Sequence, residues 1–464
     1  MQPLRALLRC ASVLGFGLAS SMASGREPKQ PDAETRDTYV LRAHGETHAL
    51  LFQRALLPGS RGALVSTETL LPVYQYWVLS ARDIDATWQR DSLDVDVALW
   101  GRAALFDNDR EGRLNGDVQS ANVRYRHGPA ALRLGRQHVA GGAARYARFD
   151  GANLELSLGN ELSLSAYAGF AVMPRWNERP GYQYLGAVTD SEIRELARTP
   201  LASRDAQWLT GGRVAWARRD IGLGLTWHER HETGGVSHRS LGLDTRARIG
   251  AFGVGGNAIL ELESSRFADA SLFVDYAPLR NIDVSLEYLH TEPALLLSRQ
   301  SVLSVFSRET YEETGGFTRY RPTPELLLEA GGFVQWFASG RPGRRAEFIA
   351  SSWLDAERRS LLRANYTRVI TPDNAYWSLR GSLLRQLGTG FRATVDAYLY
   401  LYDHAIEGYR SATVYAGTLS YQPLRELNVL WGASLARTPL AGLDAQTQLR
   451  VACDFDWVTH GGRR

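Results

Sequence analysis

Two histidines flanked by carboxylates, in the run Trp227-His-Glu-Arg-His-Glu232, are the residue types of a metal pair. On a helix that spacing would favour a shared ion. Here the run closes an alternating stretch beside Gly234-Gly235, so it reads as a strand end passing into a solvated loop. Nucleophile-elbow, zinc-protease and phosphate-loop motifs do not occur, which removes the standard signatures of hydrolases, metalloproteases and nucleotide enzymes.

What remains is chemistry by reversible contact. Within Phe391–Tyr402, the residues Arg392, Asp396, Tyr398, Tyr400 and Tyr402 share one parity. Carboxylates and hydroxyls accept hydrogen bonds from sugar hydroxyls, Arg donates to acidic sugars, and a Tyr ring offers a stacking face. Arg133 and Arg213 fall on the polar parity of their own segments and join this set as pore-lining candidates. A second group lies in Leu132–Gly151, where Arg136, Arg145, Arg148 and Asp150 surround Gly141-Gly142. Two adjacent glycines suit a tight or folded-in tip. The segment therefore reads as a hairpin whose arginines line or gate a pore, or else face outer-leaflet lipopolysaccharide.

The elements that carry these residues are strands. From about Val73 the chain alternates apolar and polar almost to its end, as in Leu93-Asp-Val-Asp-Val-Ala-Leu99 and Ile282-Asp-Val-Ser-Leu-Glu-Tyr288. One apolar face and one polar face, repeated many times, is the mark of half-buried strands. The runs span about 9–12 residues, the tilted length of a membrane strand. A sandwich or propeller would show shorter strands of about five residues. Aromatics near run ends, among them Tyr74, Tyr76, Trp77, Trp100, Tyr125, Trp216, Trp227, Trp353, Tyr376, Trp377, Phe455 and Trp457, suggest interfacial girdles. Tight turns such as Arg219-Asp220 alternate with longer connections near 106–117, 172–205, 230–238, 292–309 and 438–444. The best helical signal, Ser191–Arg198, sits inside one of these. The pattern predicts an all-β fold, a single transmembrane antiparallel β-barrel of about 18–22 strands.

Composition agrees. The 464 residues include 44 Gly, 20 Tyr, 12 Trp and 15 Phe, with charged residues at 22% and a net charge of +3. Lys29 is the only lysine, and no block of like charges forms a nucleic-acid arm. After residue 25 no apolar run reaches the ~20 residues a spanning helix needs. Arg5 and Arg9, the apolar stretch Cys10–Leu18 and the small residues up to Ala23 read as a cleaved secretory signal. Cys453 is then the one cysteine left, which excludes an internal disulfide and a cysteine metal site. The expected organisation is a signal peptide over 1–23, a periplasmic extension or lumen segment over 24–70, and the barrel over 71–464.

The motif Leu132-Arg-Leu-Gly-Arg-Gln137 followed by Phe149-Asp-Gly151 resembles the alginate-export group of outer-membrane barrels and related porin-like channels. More broadly, the chain looks like the dedicated barrels of exopolysaccharide secretion, which have about 18 strands. That resemblance implies an outer-membrane channel for a secreted polysaccharide, without cofactor or covalent chemistry. It also implies a short periplasmic polysaccharide-export protein as partner, with membrane lipid and lipopolysaccharide around the barrel. The sequence departs from that group in two ways. It carries no tetratricopeptide scaffold, and seven residues follow the last aromatic, Trp457. An uptake porin for small solutes and a barrel enzyme acting on lipids are the alternative readings.

Overall fold

A computed structural model describes residues 38–56, 66–84, 91–105, 114–159, 161–172, 207–232, 235–292, 295, 310–338, 340–372, 374–406, 408–439 and 442–460. The signal segment and Ser191–Arg198 lie outside them. The chain forms β1 (Thr38–Leu56), β2 (Ser66–Leu70), β3 (Pro72–Ile84), β4 (Asp91–Ala104), β5 (Leu114–His127) and β6 (Ala130–Ala140). There follow β7 (Tyr146–Leu158), β8 (Leu162–Ala171), β9 (Trp208–Arg218), β10 (Ile221–Glu232), β11 (Gly235–Ile249) and β12 (Phe252–Glu261). Next come β13 (Arg266–Leu279), β14 (Ile282–Thr291), β15 (Tyr311–Thr323), β16 (Leu326–Phe337), β17 (Pro342–Trp353) and β18 (Ser360–Ile370). The wall ends with β19 (Ala375–Gly388), β20 (Phe391–Ile406), β21 (Tyr409–Leu424), β22 (Leu427–Thr438) and β23 (Gly442–His460).

β2 and β3 both lie on β1 and form one wall strand interrupted at Leu71, so the ring has 22 strands. Each pairs antiparallel with its chain neighbour, and β1 closes the ring on β23 from Thr38↔His460 to Leu51↔Thr447. At a spacing of about 4.8 Å and a tilt of about 40°, a ring of that size is about 45 Å across its backbone.

The barrel therefore begins at Thr38 and not near residue 71. β1 escaped the sequence pattern because the outward positions Ala43, Gly45, Thr47 and Ala49 are small or polar. Its inward face closes the seam through side chains. His44 Nδ1 lies 2.6 Å from Asp454 and its Nε2 lies 3.2 Å from Glu46. Arg450 donates from Nε to the buried Glu46 at 2.5 Å.

The two ends of the barrel differ. At the end where β1 starts and β23 finishes, seven of the ten connections are two-residue turns. Gly250 and Gly390 occupy two of them with φ of 62° and 78°, a region where a side chain is strained. The opposite end holds the long connections 57–65, 105–113, 172–207 and 292–310. The connection expected over 230–238 is only 233–234, because β10 and β11 stay paired up to Glu232↔Gly235. Polar side chains there meet across the ladder: Arg239 donates to Glu229 at 2.9 Å.

Burial runs opposite to that of a water-soluble domain. Along β10 the outward Ile221, Leu223, Leu225 and Trp227 are exposed, Leu223 to 47%, while the inward Thr226 is 1% exposed. An arginine on the outer face at the membrane midplane would cost about 2–4 kcal/mol. Arg344, Arg368 and Arg385 take that parity near strand ends, Arg368 held by Asp403 at 2.6 Å, and Arg136 and Arg148 take it where they are neutralised by Asp117 and Asp150.

Candidate functional site

Cross-strand register decides which side chains share the inner face, because directly paired residues point the same way. On β19 and β20 the pairs Tyr376↔Tyr402, Ser378↔Tyr400, Arg380↔Tyr398 and Ser382↔Asp396 define one polar strip. The opposite face carries Leu379↔Leu399 and Leu383↔Val395. Arg392, Asp396, Tyr398, Tyr400 and Tyr402 thus lie together on the lumenal side. Arg380 donates to Asp396 at 2.7 Å and sits 4.8 Å above the Tyr398 ring. Tyr376 lies 6.2 Å from Tyr400 and 6.3 Å from Tyr402, ring to ring. Arg392 stands exposed at the foot of the strip.

Sequence reasoning missed Arg380 and placed Tyr376 in an interfacial girdle. The register puts Tyr376 inward, with Tyr74, Tyr76, Trp100 and Trp353. Trp77 and Trp377 face outward. Adjacent aromatics on a strand must take opposite faces, so pairs such as Tyr376-Trp377 split between lumen and lipid.

A second lumenal cluster forms where the β6–β7 hairpin turns. Residues Gly142–Ala144 make one 3-10 turn, and Arg145 follows it with φ of 46°. This tip folds inward. A Cβ on Gly142 would run into Thr226 of β10, and one on Gly242 of β11 would run into the backbone of Ala143. Arg145 reaches Asp269 on β13 at 2.5 Å. Below the tip, Phe149 is completely buried in a small core with Ala144, Ala147, Tyr167, Ala171 and Leu209. Arg133 and Arg213 line a concavity of about 390 Å³ beside it. Arg213 donates to Asp244 at 2.5 and 2.7 Å and to Thr226 at 2.8 Å. Arg133 lies 3.9 Å from Glu155, which also accepts from Arg124.

Of the four residues expected in this loop, only Arg145 belongs to it. Arg136, Arg148 and Asp150 stand on β6 and β7 with outward parity, since the buried Gln137 and Phe149 take the inward one. Arg136 makes a two-pronged contact with Asp150, at 2.8 Å on each arm, and another with Asp117 at 3.2 Å. Arg148 also donates to Asp117. These contacts bridge a gap in the wall, because the β5–β6 ladder stops at Ala121↔Arg136.

The histidine run is strand and not loop. His228 is buried, its Nδ1 3.0 Å from the Tyr167 hydroxyl. His231 lies 2.6 Å from Glu229 and stacks on Trp208 at 3.8 Å. Among the described residues no three ligating side chains converge on one point.

No family model matches the chain, and no curated protein sequence does. Solved structures similar in path include the P pilus usher translocation pore, at 9% identity and a TM-score of 0.42, covering 90% of this chain and 99% of that one. The outer membrane protein OpdK from Pseudomonas aeruginosa matches at 12% identity and a TM-score of 0.42, with coverage of 90% and 99%. OccAB4 of Acinetobacter baumannii gives 10%, 0.40, 90% and 98%. The likeness is one of chain path and carries nothing about cargo.

Proposed function

We propose that the chain is an outer-membrane channel through which a hydroxyl-rich polymer, a secreted polysaccharide, leaves the cell. The observation that carries this reading is the closed 22-strand ring with aliphatic side chains outside and a tyrosine, arginine and carboxylate strip inside. The ladders pair each strand with both neighbours around the closed ring, and where β5 and β6 part, side chains bridge the gap, which is close to what a hydrocarbon environment demands of strands.

The chemistry is replaceable contact. Tyr398, Tyr400 and Tyr402 present rings and hydroxyls, and Asp396 accepts hydrogen bonds. Each contact is worth only about 0.5–1.5 kcal/mol net, so a chain can exchange one for the next without being trapped. No cofactor takes part, and direction comes from synthesis or from a periplasmic export protein that abuts the short-turn end.

Deletion of the gene in its host, with cell-surface and secreted polysaccharide measured against parent and complemented strains, tests the reading. Loss of one polymer, restored by the wild-type barrel but not by Tyr400→Ala, is expected. Unchanged polysaccharide with slower growth on particular solutes would instead make it an uptake porin. The inward β6–β7 tip, which narrows the lumen, favours that second reading. Steady conductance that discriminates among small solutes in planar bilayers would distinguish it.

A further inference from the structure

A third stretch of the lumen wall, further along β13 from the Asp269 that anchors the tip, carries an aromatic surface laid flat on glycine. Phe273 of β13 pairs with Gly255 on one side and Glu287 on the other. A Cβ on Gly255 would strike the Phe273 ring, so the ring lies across the missing side chain and shows the lumen a face that is 40% exposed. Two residues along the same strand, Asp275 stands beside Gly253, its carboxylate 3.7 Å from where a Cβ would stand, an ordinary contact distance. Phe317 of β15 completes the patch across Ser285.

Two adjoining concavities, of about 300 and 440 Å³, share Asp275, Ser285 and Phe317. Volumes of that order hold small ligands. The carboxylates of Asp275 and Glu287 hold no ion pair or hydrogen bond among the described residues, whereas that of their neighbour Asp283 is held by Arg321 at 3.0 Å. Directly opposed side chains stand about 5 Å apart and alternate residues on a strand about 7 Å apart. Two acceptor groups therefore flank one flat ring.

We propose that Phe273, Asp275 and Glu287 form a subsite for a neutral sugar ring, whose apolar face stacks on Phe273 while neighbouring hydroxyls donate to the two carboxylates. A sugar presents both halves of this chemistry, C–H groups on its flat face and hydroxyls at its rim. An acidic sugar stacked on Phe273 would meet the carboxylates of Asp275 and Glu287, while the arginines nearby, Arg248 and Arg319, line the adjoining concavity of about 440 Å³. The inference deepens the export reading and rests on it for biological meaning, but the binding itself does not require export.

The test uses full-length protein in detergent and in planar bilayers, with maltohexaose as the neutral probe, an oligogalacturonate as the acidic one and spermidine as a cation. Maltohexaose is expected to bind by calorimetry and to block ion current. Phe273→Ala should weaken both about tenfold, Glu287→Gln about threefold, and Phe273→Trp should retain them. The outward Leu286→Ala serves as the control and should leave both unchanged. Calorimetry reads binding even if the pore is shut. No maltohexaose binding, equal binding in Phe273→Ala and Glu287→Gln, or preference for the acidic probe or spermidine would overturn the subsite. Loss of the subsite with polymer secretion intact would leave the channel reading standing. Intact sugar binding in a barrel whose deletion spares all polysaccharide would sink export alone.

Discussion

The guanidinium of Arg145 meets the carboxylate of Asp269 at 2.5 Å, tying the tip of the β6–β7 hairpin to a strand six places further round the ring. Side-chain exposures of 43% and 14% place this pair at the wet surface of the lumen, where an ion pair contributes about 0–1 kcal/mol. Its effect is on position more than on stability. Arg145→Ala or Asp269→Asn should increase open-channel current noise in planar bilayers while thermal unfolding stays within a few degrees of wild type. The exchange Arg145→Asp with Asp269→Arg should return quiet current. Identical noise in all four proteins would show that the contact does not hold the tip.

The same tip depends on two positions without side chains. A Cβ on Gly242 would overlap the backbone of Ala143, and backbone cannot swing aside as a long side chain can. Gly242→Val should displace the tip from the wall and change single-channel conductance by tens of per cent. A crystal structure or unchanged conductance showing the tip still seated would count against this.

At the closing seam, Glu46 is buried and holds both Arg450 and His44. Removing one partner of a buried charged contact costs about 3–5 kcal/mol, largely from the charge left behind. Glu46→Ala should therefore lower the temperature at which the folded barrel converts to the unfolded band on a detergent gel. The double variant Glu46→Gln with Arg450→Met should recover part of the loss, and additive losses would disprove the coupling.

Asp117 is the shared acceptor for Arg136 and Arg148 where β5 and β6 part. Asp117→Asn should speed amide hydrogen exchange in residues 114–121 and 137–140 and leave β19–β20 protected. Uniform exchange across the barrel would mean that the contacts do not hold this stretch.

The β20 strip could be read from sequence because Phe391, Val395 and Leu399 make its outward face strongly apolar, so the inward parity follows. β1 was hidden by its outward Ala43, Gly45 and Ala49. Gly45 is small because the Trp77 ring of β3 lies over it, a fact of the neighbouring strand and not of local alternation. Arg148 and Asp150 looked like loop residues because Gly141-Gly142 lie close by, yet Phe149 between them had to face inward and so turned both outward. The reach of Arg145 to Asp269 and of Phe273 over Gly255 joins strands by register, which no spacing along the chain encodes.

The first and last strands share the longest unbroken ladder among the described residues, 14 paired residues. They are also the most distant partners in the chain, as His44 and Asp454 stand 410 positions apart. Bringing ends that far apart together costs about 3 kcal/mol more in chain entropy than closing a ten-residue hairpin. A ladder of that length returns about 7–20 kcal/mol at about 0.5–1.5 kcal/mol for each hydrogen bond. Closure is thus strongly downhill once begun, and an open sheet of the same strands would be a short-lived precursor that shuts like a zip and does not reopen.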